Sequence, residues 1–85
     1  MTYNPDDDIK HLIQDMKRIG TKQDDGTYKT TFIQLFKDPI VEQHFESLFG
    51  TMKAARKKGI INFKGELLLQ GRDNNVEITL LKEEL

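Results

Sequence analysis

The chain has 85 residues, of which 36% are hydrophobic and 32% charged, proportions typical of one small soluble globular domain. It contains no cysteine, which excludes a disulfide framework, a thiolate metal site and a cysteine nucleophile. The formal net charge of −1 excludes a strong overall attraction to nucleic-acid phosphates.

The segment from Asn4 to Gly20 predicts an amphipathic helix. Asn4 is suited to the N-cap and Pro5 to the first helical position, and the aspartates that follow complement the helix dipole. Gly20 is predicted to end the helix in a left-handed conformation. The apolar residues fall on one face at helical spacing: Ile9, Leu12, Ile13, Met16 and Ile19.

The next residues predict a turn, a short strand and a short helix. The turn is expected at Asp25-Gly26 and the strand around Thr27–Lys29. The sequence TTFIQLFKD then favours a brief helix that is capped by Thr30 or Thr31.

A long third helix is predicted from Asp38, as its N-cap, to Lys58, with Gly59 ending it. Its apolar residues form one stripe: Val41, Phe45, Leu48, Phe49, Met52 and Ala55. Gly50 lies within the predicted helix, and we interpret it as a point of close packing by another element.

The C-terminal part predicts β-structure. IINF, ELLLQ and VEITLL are the candidate strands, and the last two are joined by the turn-forming GRDNN. Because Leu67–Leu69 do not alternate with polar residues, that strand is expected to be buried on both faces. The predicted fold is α+β and winged-helix-like, with three helices packed on a small antiparallel sheet, a C-terminal β-hairpin, and Gly71–Asn75 as the wing.

Catalytic chemistry is not indicated, and we expect no enzyme activity, cofactor or metal. Neither His11 nor His44 has metal-ligand spacing around it. The acidic run Asp6–Asp8 is explained by helix capping, and Asp24-Asp25-Gly26 lacks the further oxygen ligands of a calcium loop. The glycines do not form a phosphate-binding signature.

The most distinctive feature is a basic segment, residues 51–64, which carries five Lys or Arg and no acid. These residues, with a sixth from the loop that follows, are the candidate partner-binding set: Lys53, Arg56, Lys57, Lys58, Lys64 and Arg72.

Four interpretations of the chain remain open on this pattern. The cations could simply complement a helix C-terminus, or dock an acidic protein surface. They could bind nucleic acid as part of a winged helix, although acidic residues in the first half of the predicted helix weaken this alternative. A structural adaptor acting through an apolar surface is the fourth.

LFGTMKAARKKGIINFKGELLLQG, residues 48–71, closely resembles the signature of the Costars family. IGTKQDDGTYKTTFIQLFKD (residues 19–38) and VEITLL (residues 76–81) are similar to neighbouring parts of the family sequence. The resemblance implies one Costars domain over residues 1–85 with a winged-helix-like fold. It departs from the family pattern at Phe63, where tyrosine is common, and at Lys64, where relatives often carry proline or an acid.

The resemblance also implies a function. Small Costars proteins are associated with actin-filament dynamics and cell motility, and the same domain forms the C-terminal actin-binding part of the striated-muscle activator of Rho signalling. We therefore expect a non-enzymatic regulator that binds actin or an actin-associated protein. We expect it to be monomeric and associated with the cytoskeleton. We expect it in the cytoplasm because the chain has no presequence-like start and no apolar run near the roughly 18 residues that span a membrane.

Overall fold

The fold is α+β, as predicted. A computed structural model describes residues 5–44 and 47–85. Within this described part, four helices and four strands follow one another in this order: α1 (Pro5–Ile19), β1 (Thr21–Lys22), β2 (Tyr28–Thr31), α2 (Phe32–Lys37), α3 (Pro39–His44), α4 (Leu48–Lys57), β3 (Ile61–Asn62) and β4 (Glu77–Leu80).

The first helix has the predicted bounds, but its C-terminal glycine has a different role from the one expected. Asn4, the predicted N-cap, lies outside the described residues. Gly20 does not adopt a positive φ, so the left-handed stop is wrong. A Cβ atom at this position would lie 2.6 Å from the carbonyl oxygen of Met16 and 3.1 Å from that of Lys29. Glycine is therefore required here, chiefly because a Cβ would clash with the Met16 carbonyl of α1 itself, and the Lys29 carbonyl of β2 crowds the same position.

The sheet is antiparallel throughout, with strand order β1-β2-β4-β3. β4 occupies an interior position, where Ile78 pairs with Thr30 of β2 and Leu80 with Ile61 of β3. In place of the predicted hairpin between ELLLQ and VEITLL, β4 pairs with β3, and residues 63–76 form a long connection between them. The predicted strand ELLLQ is wrong, because residues 66–70 make no ladder. The winged-helix likeness and the wing stay predictions.

The predicted long helix is instead two helices. Asp38 caps α3 as expected, since its Oδ1 accepts hydrogen bonds from the backbone N–H groups of Ile40 and Val41, each at 3.0 Å. The chain leaves the helical conformation by Ser47 (φ −139°, ψ 99°), whose hydroxyl accepts from the N–H of Gly50 at 3.1 Å and begins α4. The stripe residue Phe45 lies outside the described part.

Gly50 consequently lies in the first turn of α4 rather than in a helix interior. The nearest atoms to a Cβ placed there belong to the capping Ser47, at 3.1 and 3.5 Å. Within residues 5–44 and 47–85, no other element comes within 4 Å of that Cβ, so the prediction that another element packs against this glycine is wrong there. The close neighbour is the helix's own cap.

The other two predicted helix boundaries are confirmed. Thr31 caps α2 in a capping box with Gln34. Gly59 (φ +74°) ends α4: its N–H donates to the Arg56 carbonyl, and the N–H of Ile60 donates to the Ala55 carbonyl at 2.9 Å. This bond pair is the Schellman motif, which satisfies carbonyls that a helix end otherwise leaves unpaired.

The core lies between one face of the sheet and the helices. Its innermost side chains come from each of the four described helices and from β3 and β4, and they are fully buried: Ile9, Leu12, Met16, Leu35, Val41, Met52, Ile61, Ile78 and Leu80. α1 packs along α4, which brings the C-terminal end of α4 beside the first turn of α1. The outer face of α4 remains exposed to solvent.

Candidate functional site

The six predicted cations do not form one cluster. Lys53, Arg56 and Lys57 lie on α4 and Lys64 follows β3, whereas Lys58 reaches α1 and Arg72 lies in the loop before β4. Three of the six form ion pairs or hydrogen bonds with other groups of the chain, whereas the other three form no ion pair with the residues that the structure describes. The two groups have different physical roles.

Arg56 is a structural residue. Its guanidinium Nη1 donates to the carbonyl oxygens of Phe63 (3.2 Å) and Gly65 (2.8 Å), and it stacks on the Phe63 ring with 4.1 Å between the guanidinium carbon and the ring centroid. The planar guanidinium is suited to combining these contacts. Arg56 therefore fixes the segment containing Lys64 against α4, and it is half-buried rather than available to a partner.

We expect Arg56→Ala to destabilise the fold by about 2 kcal/mol, because two carbonyls lose a charged donor and the ring loses its stacking partner. Lys57→Ala, at the neighbouring exposed position, should change stability by no more than about 0.5 kcal/mol. Urea unfolding followed by circular dichroism measures both. Equal midpoints for the two variants would contradict the structural role of Arg56.

Lys58 and Arg72 are also occupied. Lys58 Nζ lies 3.1 Å from Asp6 Oδ1, joining the end of α4 to the start of α1. Arg72 donates from Nε to Asp73 Oδ2 at 2.9 Å and from Nη2 to the Leu67 carbonyl at 2.8 Å, and its hydrogen bond to Asp73 raises the pKa of Arg72. These two cations hold elements of this chain, and a partner would have to compete with those contacts.

Lys53, Lys57 and Lys64 form what we call the basic surface. All three are exposed, and within residues 5–44 and 47–85 none makes an ion pair. Lys53 and Lys57 are four residues apart on α4 and so lie on the same helix face. The acids that weakened the nucleic-acid alternative do not precede them in the same helix: Glu42 belongs to α3, and the first turn of α4 has no acid.

A second surface feature was not predicted. An apolar groove with a volume of about 350 Å³ runs between α2, the first turn of α4 and residues 68–70. Its lining residues are uncharged: Phe32, Phe36, Ser47, Leu48, Phe49, Leu68, Leu69 and Gln70. Phe36 and Leu69 are 42% and 43% exposed. The sequence did contain a signal, because four apolar residues in the six of α2 exceed what one face can bury.

The residues that the structure describes contain neither a candidate metal site nor a candidate membrane-spanning helix. Among them, no group of three or more His, Asp or Glu side chains is placed to hold a metal ion. No helix in the described part has the length and apolar character needed to cross a membrane. His11 is exposed as predicted, whereas the side chain of His44 lies outside the described residues.

The fold defines a small α+β domain with four described helices and a four-stranded antiparallel sheet. A sequence model of the Costars family matches residues 4–81, and the chain therefore belongs to the Costars family. This confirms the resemblance of residues 48–71 to the family signature.

Relatives from distant organisms support the same assignment over nearly the whole chain. Protein costars of Dictyostelium discoideum is 48% identical over 79 residues, covering 93% of this chain and 96% of its own. Costars family protein ABRACL of Xenopus laevis is 44% identical over 80 residues, covering 94% and 99%. The solution structure of human HSPC280 protein superposes with a TM-score of 0.82 at 40% identity, covering 94% of each chain.

Proposed function

We propose that this chain is a non-enzymatic regulator of actin-filament dynamics and cell motility. It acts, on this proposal, as one Costars domain over residues 1–85, as a monomer in the cytoplasm, by binding actin or an actin-associated protein. The observation that carries the proposal is membership of the Costars family across residues 4–81, since actin regulation is what the resemblance implied.

The surfaces of the domain are consistent with a binding function. The basic surface supplies three cations without ion-pair partners in the described part of the chain, and such cations steer encounter with an acidic protein and set its orientation. The same residues give less support to the alternative that the chain binds nucleic acid. Arg56, Lys58 and Arg72 contact this chain's own groups, which leaves few cations for phosphates.

The proposal is tested by the double variant Lys53→Glu/Lys57→Glu in filament cosedimentation and in a fluorescence assay of actin assembly. Because these side chains are exposed, the variant should fold with a normal circular dichroism spectrum. We expect association with actin, or with an actin-associated protein added to the assay, to fall roughly tenfold or more, the size expected when two favourable charge contacts become repulsive.

The matched control is Lys10→Glu/Lys22→Glu, which makes the same change in net charge at two exposed positions outside α4 and the basic surface. It should behave like the wild type. If both double variants lose association equally, the effect is one of net charge and the basic surface is not the site. If the wild type neither binds filaments nor alters their assembly, with or without actin-associated proteins, the proposed function is wrong.

A further inference from the structure

We propose that the apolar groove and the basic surface together bind one acidic amphipathic segment of a protein partner. Two apolar side chains of that segment occupy the groove, and its carboxylates face Lys53 and Lys57. The inference rests on the proposed function and deepens it, because it states the chemistry by which an actin-regulating domain recognises its partner.

The groove has room for apolar anchors. A cavity of ~150 Å³ in another protein holds a benzene molecule, so the groove's volume of about 350 Å³ accommodates two side chains of that size. Phe36 and Leu69 face it with more than 40% of their surface exposed. Phe36 is held in place by the buried Phe32, whose ring centroid lies 5.7 Å away, so the groove wall is already formed.

Exposed lysines lie beside the groove, and the Asp73 carboxylate that accepts from the Leu69 N–H is paired with Arg72. Phe49 lines the groove, and the Nζ of Lys53 lies 5.9 Å from the Phe49 ring centroid. Phe49, Lys53 and Lys57 follow one another at intervals of four residues. They therefore form one row along α4. Lys37, next to Phe36, is exposed on the α2 side. An apolar site flanked by cations complements an apolar segment that carries carboxylates.

A helix is the conformation that presents both chemistries together. Amphipathic helices that bind grooves insert side chains at i and i+3 or i+4 spacing and keep their polar residues outside. A second copy of this chain is a poorer occupant. Its own acidic amphipathic helix is α1, whose apolar residues Ile9, Leu12 and Met16 are completely buried in the core.

The test uses a fluorescent synthetic peptide of ~16 residues, long enough to form a helix. Leu and Phe occupy one face at i, i+3, i+4 and i+7, and Glu occupies the other positions. A companion peptide has Lys in place of each Glu. We expect the Glu peptide to bind the full chain at least about tenfold more tightly than the Lys peptide, and its affinity to fall as salt is added.

Matched variants locate the site. Leu69→Asn should weaken binding of the Glu peptide about tenfold, the loss expected when one buried leucine contact is removed. Leu67→Asn replaces a leucine that is 51% exposed but does not line the groove, and it should bind as the wild type does. Amide NMR shifts on titration should move at Phe36, Phe49 and Leu69.

Three results would overturn the inference: equal binding of the two peptides, equal loss in the two leucine variants, or groove amides that shift with protein concentration alone and so indicate self-association. The filament assay of the wild type separates this failure from that of the proposed function. If the wild type alters filaments but does not bind the Glu peptide, only the groove inference is refuted. If the wild type binds the Glu peptide but affects neither actin nor actin-associated proteins, only the proposed actin function is refuted.

Discussion

Leu68→Ala should destabilise the protein by about 2–4 kcal/mol, whereas Leu67→Ala and Leu69→Ala should each change stability by no more than about 0.5 kcal/mol. Leu68 is only 5% exposed, but Leu67 and Leu69 are 51% and 43% exposed. Removing a buried leucine loses its transfer free energy and leaves a cavity. A truncated exposed leucine does neither, although all three residues are chemically identical and adjacent.

Urea unfolding of the three variants side by side provides the measurement. Each variant serves as a control for the others, because the change in sequence and in helix or strand propensity is the same. Similar midpoints for all three would show that residues 67–69 are equally buried, as the sequence pattern suggested, and would refute the arrangement in which only Leu68 enters the core.

The failure of the predicted strand at residues 66–70 has an identifiable cause. The run of three leucines is typical of a buried strand, but the backbone groups here bond to side chains instead of to a neighbouring strand. Arg72 donates to the Leu67 carbonyl, Asp73 Oδ2 accepts from the Leu69 N–H at 2.8 Å, and Arg56 donates to the Gly65 carbonyl. Such contacts between side chains and backbone groups, four to nine residues apart in the chain, do not show in the periodicity of apolar residues.

The break in the predicted long helix had a local signal that apolar periodicity concealed. The apolar stripe continues without interruption from Val41 to Met52, and a single helix is its simplest interpretation. Ser47, followed by a glycine at the third helical position, is a helix start in its own right. The apolar periodicity predicts one helix here, and the capping residue predicts a helix start. The hydrogen bond from the Gly50 N–H to the Ser47 hydroxyl agrees with the prediction from the capping residue.

The sequence predicted the basic chemistry of the candidate site, but it did not show which of the six cations are available to a partner. The basic segment was visible in the sequence, and Lys53, Lys57 and Lys64 are exposed as the docking hypothesis requires. Arg56 and Lys58 could not be separated from them, because their partners are backbone carbonyls or a residue distant in sequence, whereas Asp73 follows Arg72 directly. The groove also depends on tertiary structure, since it joins α2, α4 and the loop at residues 68–70.

Asp38→Ala should destabilise the protein by about 2–3 kcal/mol, because one side chain performs two tasks. It caps α3 through hydrogen bonds to the N–H groups of Ile40 and Val41, a contribution of about 1 kcal/mol. It also accepts two hydrogen bonds from the Arg18 guanidinium of α1, at 2.8 and 3.0 Å. Arg18 in turn reaches the buried Asp15 at 3.3 Å, so the pair connects α3 to the core helix.

Asp38→Asn separates the two tasks, since an amide oxygen can still cap the helix but carries no charge. We expect this variant to lose about half as much stability as Asp38→Ala at neutral pH. Asp24→Asn, a change at an exposed loop carboxylate, is the control and should change stability little. If Asp38→Asn and Asp38→Ala were equally destabilised, the capping bonds would contribute nothing.

The charge of Asp38 should also appear in the acid limb of the stability curve. Hydrogen bonds from Arg18 lower the pKa of Asp38 from 3.8 to about 2. Because the folded-state pKa is below the unfolded one, its stabilisation is complete above about pH 4 and is lost as pH falls through 2. Allowing for the exposure of Arg18, the loss is about 1–2 kcal/mol. The stability difference between wild type and Asp38→Asn should therefore shrink by that amount between pH 5 and pH 2 in urea titrations. A difference independent of pH would show that the Arg18–Asp38 pair does not stabilise the fold, and that α3 is held to α1 by its apolar contacts alone.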